Sequence, residues 1–322
     1  MHIAFIADPL ASFRIYKDST FAMMVEAASR GHTLSYIPQG ALTRTAGGIV
    51  EATSQVLRLT GDPVVWFDVD AAERAPLSSF DAVVMRKDPP FDMEYVYSTY
   101  LLGLAEAQGA KVFNGARAIR DHNEKFAITE FPEFIAPTLV TRDAGAVREF
   151  HREHRDIILK PLDGMGGMGI FRVRDDGMNL GSIVELLGGN GAFTIMAQRY
   201  IPEIVDGDKR ILVIDGVPVP YSLARVPQGT EIRGNLAAGG VGRAQPLSAR
   251  DREIGEAVGA KLVDRGLMLI GVDAIGDYLT EINVTSPTCF VEIRAGSGFN
   301  VAGAFIDALE RRVLEPRAGD AA

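Results

Sequence analysis

"LKPLDGMGGMGIF", residues 159–171, sets a lysine at the end of an apolar run, then four glycines within six positions, then a second apolar run. The pattern predicts strand, glycine loop, strand. A P-loop needs G-x-x-x-x-G-K-[ST], with its lysine inside the loop and a hydroxyl for magnesium. Here Lys160 precedes the loop and no Lys-Ser or Lys-Thr follows it. Glycines let backbone N–H groups come close to an anion, so a lysine on the strand feeding such a loop suits a phosphate site beneath a flexible cover. A plain glycine-rich hairpin is the competing reading, and the surrounding chain decides between them.

Upstream, "HIAFIAD" (2–8) reads as a short apolar strand, and "DSTFAMMVEAASRG" (18–31) as a helix with a Ser/Thr cap and Gly31 as its stop. "TLSYIP" (33–38) closes a βαβ unit; "DAVVMRK" (81–87), "EYVYSTYLLGLAEAQG" (94–109) and "AKVFNG" (110–115) continue as strand, helix and strand. The first third therefore predicts a parallel, helix-covered sheet. No G-x-G-x-x-G follows the first strand, which points to a substrate-holding region and away from a dinucleotide site.

Downstream of about residue 120 the pattern becomes mixed. "DIILKPL", "GIFRV", "LGSIVELLG" and "FTIMAQRYI" suggest a small α+β module, and "DKRILVIDGVPVPYSLARV" (208–226) reads as two strands joined through Asp215-Gly216. The glycine-rich "PQGTEIRGNLAAGGVGRAQ" (227–245) is too long for an ordinary connection and reads as a lid. A capped helix (248–265), the strands "LMLIGVDAI" and "YLTEINV", and a helix over 299–312 complete the series. The expected class is α/β and α+β. Its parts are an N-terminal Rossmann-like substrate domain (1–121), a central module (122–202), a C-terminal catalytic module (203–316) and a polar tail (317–322).

The 322 residues suffice for several domains and a large core. With a formal net charge of -9 and scattered basic residues, the chain lacks the footprint of a nucleic-acid binder. No apolar run reaches membrane-spanning length, and "MHIAFIADPL" lacks signal-peptide features, so no membrane partner and a cytoplasmic location are expected. Cys289 is the single cysteine, which rules out an internal disulfide or a thiolate cluster. With no histidine in a position to activate it, Cys289 reads as a buried structural thiol. "HREH" (151–154) is not H-E-x-x-H and reads as a solvated helix face.

Glu281 and Asn283 in "LTEINV" lie two apart and share a strand face, an acidic and an amide oxygen suited to a hard cation such as magnesium. Asp273 on the preceding strand supplies a further carboxylate if the register is right. A two-residue turn at Gly276-Asp277 pairs Asp273 with Thr280, whereas a three-residue loop through Tyr278 pairs it with Glu281, as the metal reading requires. A solvated sheet face is the alternative for these acids, but they alternate with Ile275, Leu279 and Ile282.

Five motifs in order, "MRKDPPFD" (85–92), "LKPLDGMGG" (159–167), "DGDKRILV" (206–213), "RGNLAAGG" (233–240) and "LTEINVTSPTC" (279–289), closely resemble bacterial glutathione synthetase, of the ATP-grasp superfamily. The resemblance runs from Met1 to about Val313. It implies ATP-dependent joining of γ-glutamylcysteine to glycine through an acyl phosphate, with magnesium (manganese as an alternative) and a homotetrameric assembly. It further implies that Lys125 and Lys160 contact the ATP phosphates under the backbone of Gly164, Gly166 and Gly167. Gln198 with the Tyr200 and Ile201 backbone would read adenine, and Asp208 the ribose. Arg210 and Arg225 would steady the transferring phosphoryl group, and Asp273, Glu281 and Asn283 would hold the metal. Arg86, Asn235, Ser286 and Thr288 are the candidates for the dipeptide and glycine. Two other readings stand beside this one: a D-alanine-joining or glutamate-adding ligase of the same superfamily, which would not be expected to share "RKDPPFD" with "NVTSPT", and a non-catalytic ATP-binding regulator of the synapsin type.

Overall fold

The computed structural model describes residues 1–314; the expected tail at 317–322 and the last positions of the expected C-terminal module lie outside them. The N-terminal sheet contains β1 (His2–Ala7), β2 (Thr33–Pro38), β3 (Leu42–Arg44), β4 (Val50–Leu59), β5 (Phe67–Val69), β6 (Glu73–Pro76), β7 (Ala82–Met85) and β8 (Val112–Phe113). Strands β2-β1-β7-β8 run parallel, as the βαβ pattern predicts. Helices α1 (Ser19–Ser29) and α2 (Met93–Ala107) belong to these units. Asp18, not Ser19 or Thr20, caps α1, its Oδ1 accepting the Phe21 N–H at 2.7 Å, because an aspartate one position earlier already satisfies the first free donor. The antiparallel extension β3–β6 has no counterpart in the sequence reading.

Helix α3 (Ala116–Asp121) leads to a four-stranded antiparallel sheet of β9 (Thr138–Thr141), β10 (Ile157–Pro161), β11 (Phe171–Val173) and β12 (Ile195–Arg199), in the order β11-β10-β12-β9. Helices α4 (Ala144–His154) and α5 (Leu180–Gly188) cover it around a small core that includes Val147, Leu159 and Ile195. The "HREH" reading needs correction here. His151 is buried and bonds the Arg174 carbonyl at 2.8 Å, because its turn of α4 faces the sheet.

The third sheet, order β15-β14-β13-β16-β17, is built from β13 (Asp208–Ile214), β14 (Val217–Val226), β15 (Val241–Pro246), β16 (Leu269–Ile275) and β17 (Tyr278–Asn283). The β13–β14 hairpin turns at Asp215 and Gly216, both at positive φ, as Asp-Gly predicts. The presumed lid is shorter than its sequence suggests: from Val241 it pairs with β14, where alternate small residues fit an edge strand. Helices α6 (Ala249–Val263), α7 (Phe290–Ser297) and α8 (Val301–Leu314) complete the chain. The first and third sheets share their cores, with Ile6 and Val83 in one cluster with Ile270 and Ile282. Buried Asn114 ties them further, donating to the Leu269 and Val284 carbonyls at 2.7 and 2.9 Å and accepting the Leu269 N–H at 2.8 Å. The strand end that carries Asn283 is thus fixed from both sides.

Candidate active site

Antiparallel register builds the charged centre. Across β13 and its neighbours, Asp208 stands opposite Arg225, Arg210 opposite Asp273, and Asp273 opposite Glu281. Residues two apart on a strand share a face, so Asp208, Arg210, Arg225, Asp273, Glu281 and Asn283 form one connected patch. The turn between β16 and β17 is the two-residue one, with Ile275 opposite Tyr278, and not the three-residue loop through Tyr278. A β-bulge absorbs Thr280, so that Leu279 faces Ala274 and Glu281 faces Asp273. One extra residue in a ladder re-aims the side chains beyond it; here it aligns the two carboxylates despite the tight turn.

Asp273 is 1% exposed, and its carboxylate is gripped by guanidinium groups. Arg210 Nη2 donates to Oδ2 at 2.9 Å while its Nε bonds Oδ1, and Arg225 Nη2 lies 2.9 Å from Oδ2. Arg225 also pairs with Asp208 at 2.5 Å. Burial alone would raise the Asp273 carboxyl, but Arg210 and Arg225 overcome it and bring the group to about 2. At Asp208 burial prevails over the pull of Arg225, pushing the carboxyl up to about 6. Gly271 makes the arrangement possible: a Cβ there would meet Arg210 Cδ and Pro287 Cβ, each at 3.0 Å.

The two lysines converge from different elements. Lys125, just before a 3-10 turn at Phe126–Glu130, bonds the Gly164 carbonyl and lies 3.1 Å from Glu281 Oε1. Lys160, at the end of β10, donates to the Thr280 carbonyl at 3.2 Å. Both are buried, and burial, with the Lys125 charge adding to it against the pull of Glu281, brings the Lys160 ammonium down to about 8. Around them one cavity is lined by Gly164, Gly166, Gly167, Gln198, Tyr200, Ile201, Asp208 and Asn235. Ile158, Ile170 and Ile275 add flat apolar walls. An adjoining cavity is lined by Arg210, Arg225, Glu281, Asn283, Ser286 and Thr288, with Asn235 common to both. Arg86 lies deeper, in a third cavity that shares Ser286 and Thr288. Asp273 lines none of these and sits beneath the arginines. The glycine loop and the lid touch: Gly167 has φ +81°, a Cβ on it would lie 2.8 Å from Asn235 Oδ1, and its carbonyl accepts from Arg233 at 3.3 Å.

Glu124 is a functional candidate that sequence reasoning passed over, although it adjoins Lys125. Its Oε1 accepts the Val284 and Thr285 N–H groups at 2.9 and 3.1 Å and the Thr285 hydroxyl at 2.8 Å, locking the turn after Asn283. Burial raises its carboxyl, and the charge of Glu281 adds to the effect. Among the described residues no group of three or more His, Cys, Asp or Glu side chains is arranged as a metal cluster. The donors that do suit a cation are hard oxygens: Asn283 spends its Nδ2 on the Gly271 carbonyl (3.1 Å) and Asp273 (3.3 Å), which turns Oδ1 free, and Glu281 engages Lys125 through Oε1 alone. That set fits magnesium.

The arrangement of sheets around this cavity is that of the ATP-grasp ligases. The crystal structure of a D-cycloserine synthetase matches it with a TM-score of 0.69, covering 97% of this chain and 100% of that one, and at 18% identity the likeness speaks for the fold. A RimK-domain ATP-grasp protein from Sphaerobacter thermophilus matches at 0.59, over 96% of this chain and 100% of that one, with 16% identity. Residues 1–120 match the model of the prokaryotic glutathione synthetase N-terminal domain and residues 124–298 that of its ATP-grasp domain. The glutathione synthetase of Ralstonia nicotianae is 63% identical over 311 residues, 97% of this chain and 96% of that one. That of Vibrio parahaemolyticus is 49% identical over 311 residues, 97% and 98% of the two chains. The chain belongs to the prokaryotic glutathione synthetase family.

Proposed function

We propose that this protein joins γ-glutamylcysteine to glycine at the expense of ATP, giving glutathione, ADP and phosphate. The observation that carries the reading is the convergence of Lys125, Lys160, Arg210 and Arg225 on adjoining cavities beneath two glycine-rich covers. The cysteinyl carboxylate attacks the γ-phosphorus and ADP leaves. The glycine amine then adds to the acyl phosphate, loses its proton, and phosphate departs from the tetrahedral intermediate. Every step crowds negative charge, so the protein's task is positioning and neutralisation, with no side-chain nucleophile.

In this reading Lys125 and Lys160 hold phosphate oxygens, the loop of Gly164, Gly166 and Gly167 supplies N–H donors, and Asp208 takes the ribose. Gln198, Tyr200 and Ile201 face adenine. Arg210 and Arg225, held rigid by Asp273, present their charge to the transferring group and the oxyanion. Glu281 and Asn283, with Asp273 alongside, would hold magnesium or manganese, which when bound neutralises phosphate charge. Arg86, Asn235, Ser286 and Thr288 hold the dipeptide and glycine. Glycine loop and lid exclude water from an acyl phosphate that would otherwise hydrolyse.

The division into 1–121, 122–202 and 203–316 assigns substrate, nucleotide-cover and catalytic roles in turn. No helix among the described residues is long and apolar enough to cross a membrane, and a thiol substrate with a lone buried cysteine suits the reducing cytoplasm. A homotetramer is tested by light scattering. The function itself is tested by phosphate release from magnesium-ATP with γ-glutamylcysteine, with and without glycine, and by mass detection of the tripeptide. Glycine-dependent release matched by glutathione supports the reading; turnover only with D-alanine or a glutamate-bearing acceptor overturns its specificity.

A further inference from the structure

Next to the reaction cavity, and sharing with it the walls Asp88, Leu236, Ala237, Ser286 and Thr288, lies a cavity of about 360 Å³. It is framed by the start of α1, the segment before it, and the first turn of α7. Its charges are balanced: Arg14, Lys17 and Arg86 against Asp18, Asp88 and Glu292. A site for a simple anion or cation would be biased to one sign. An equal mixture fits a ligand end that carries both charges.

Two buried atoms sharpen this. Arg86 is 3% exposed, and its Nε and Nη2 are spent on Thr20 Oγ1 and the Pro287 carbonyl, each at 3.0 Å, but Nη1 is buried without a partner. Glu292 likewise keeps Oε2 buried without a partner. Buried polar atoms are nearly always hydrogen-bonded, and a charged one left unmatched is costly. A cationic donor and an anionic acceptor both unmatched in the walls of one cavity are complementary to a carboxylate and an ammonium. Arg14 and Lys17 carry no ion pair among the described residues and extend the carboxylate side. Asp18 is committed to capping α1.

We infer that this cavity binds the amino-acid head of the γ-glutamyl group, Arg86 taking its α-carboxylate and Glu292 its α-ammonium. The inference rests on the substrate reading above and adds to it the groups that select a γ-linked glutamyl residue. Because the two cavities share walls, one dipeptide spans both: its cysteinyl carboxylate beside Arg210 and Arg225, its free amino-acid end between Arg86 and Glu292. A γ-linkage is what leaves that end zwitterionic, so these residues would set the specificity for the linkage as well as for the side chain.

The test compares three carboxylate substrates with magnesium-ATP and glycine: γ-glutamylcysteine, glutarylcysteine, which lacks the α-ammonium, and 4-aminobutyrylcysteine, which lacks the α-carboxylate. The unaltered enzyme should show KM raised about tenfold or more for each truncated substrate, as expected for loss of a charged hydrogen bond. Glu292→Gln should raise KM for γ-glutamylcysteine about tenfold, leave KM for glutarylcysteine unchanged, and keep discrimination against 4-aminobutyrylcysteine. Arg86→Lys should show the converse, and Arg14→Ala, at an exposed position, gives a weaker form of the converse should the buried substitution fail to fold. ATP affinity should not move in any variant. Equal KM losses on all three substrates, or an unaltered enzyme indifferent to the head group, would overturn the inference while leaving the synthetase reading intact. No turnover of γ-glutamylcysteine by the unaltered enzyme would overturn both.

Discussion

Replacing Lys160 by methionine should stabilise the protein while disabling it. The ammonium is held at about 8 against an ordinary 10.5, chiefly because burial disfavours its charge. At 1.36 kcal/mol for each tenfold change in proton affinity, the charged lysine costs the folded state about 3 kcal/mol at neutral pH. Methionine has similar length and no charge to desolvate, but it gives up the hydrogen bond to the Thr280 carbonyl, worth about 1 kcal/mol. The expected net gain at pH 7 is about 2 kcal/mol. Its pH dependence follows from which state holds the proton. Between about 8 and 10.5 the unfolded chain keeps a proton that the folded chain has released, so the unaltered protein gains stability as pH rises and its deficit closes. Below 8 the deficit is complete; above 10.5 only the lost hydrogen bond remains, and the variant becomes the weaker of the two. Urea unfolding of both proteins at pH 7 and at pH 10, with ATP binding by calorimetry, measures all of this. A variant less stable at pH 7, or one that binds ATP with unchanged affinity, would refute the reasoning: the first by showing that the charge is compensated, the second by removing Lys160 from the phosphate site.

Asp273→Asn withdraws the charge that neutralises two buried arginines, and should lower stability by about 3–5 kcal/mol in urea titration, with turnover abolished. Gly271→Ala places a Cβ 3.0 Å from Arg210 Cδ; pushing that guanidinium out of line should reduce kcat about a hundredfold or more, as for loss of an oxyanion donor, with ATP affinity preserved in calorimetry. Glu281→Gln should raise the magnesium concentration needed for half-maximal phosphate release, leaving the urea midpoint near that of the unaltered protein, since Glu281 is only partly buried. Glu124→Gln keeps the side-chain shape but weakens the hold on Val284 and Thr285, and should raise the KM for dipeptide and glycine more than that for ATP.

How far this site could be read in advance depended on whether its signal was local. The parallel strands β1, β2 and β7 are short, continuous apolar runs bounded by helices with glycine stops, so they are legible without a partner. The extension β3–β6 is not: β3, β5 and β6 are 3 to 4 residues long and half polar, and only the alternating β4 would have betrayed it. The same distinction runs through the active site. Lys160 and the glycine loop announce themselves because strand, cation and loop are contiguous. The pairing of Asp273 with Glu281 could be posed as a question of register but not answered, since two-residue turn and aligned carboxylates looked incompatible until the bulge at Thr280 reconciled them. A bulge arises from how a whole ladder packs, and no residue in "YLTEINV" marks it. Glu124 and Glu292 lie further still from legibility. Each is one acid among 42 acidic residues in the sequence, and its role comes from burial against segments more than a hundred residues away. What fixes the chemistry here is therefore the register of the third sheet. Sliding β13 by one residue against β16 would turn Arg210 from Asp273 toward the opposite face and leave a buried carboxylate unmatched, so the pairing that orders the catalytic charges is also the one the fold can least afford to lose.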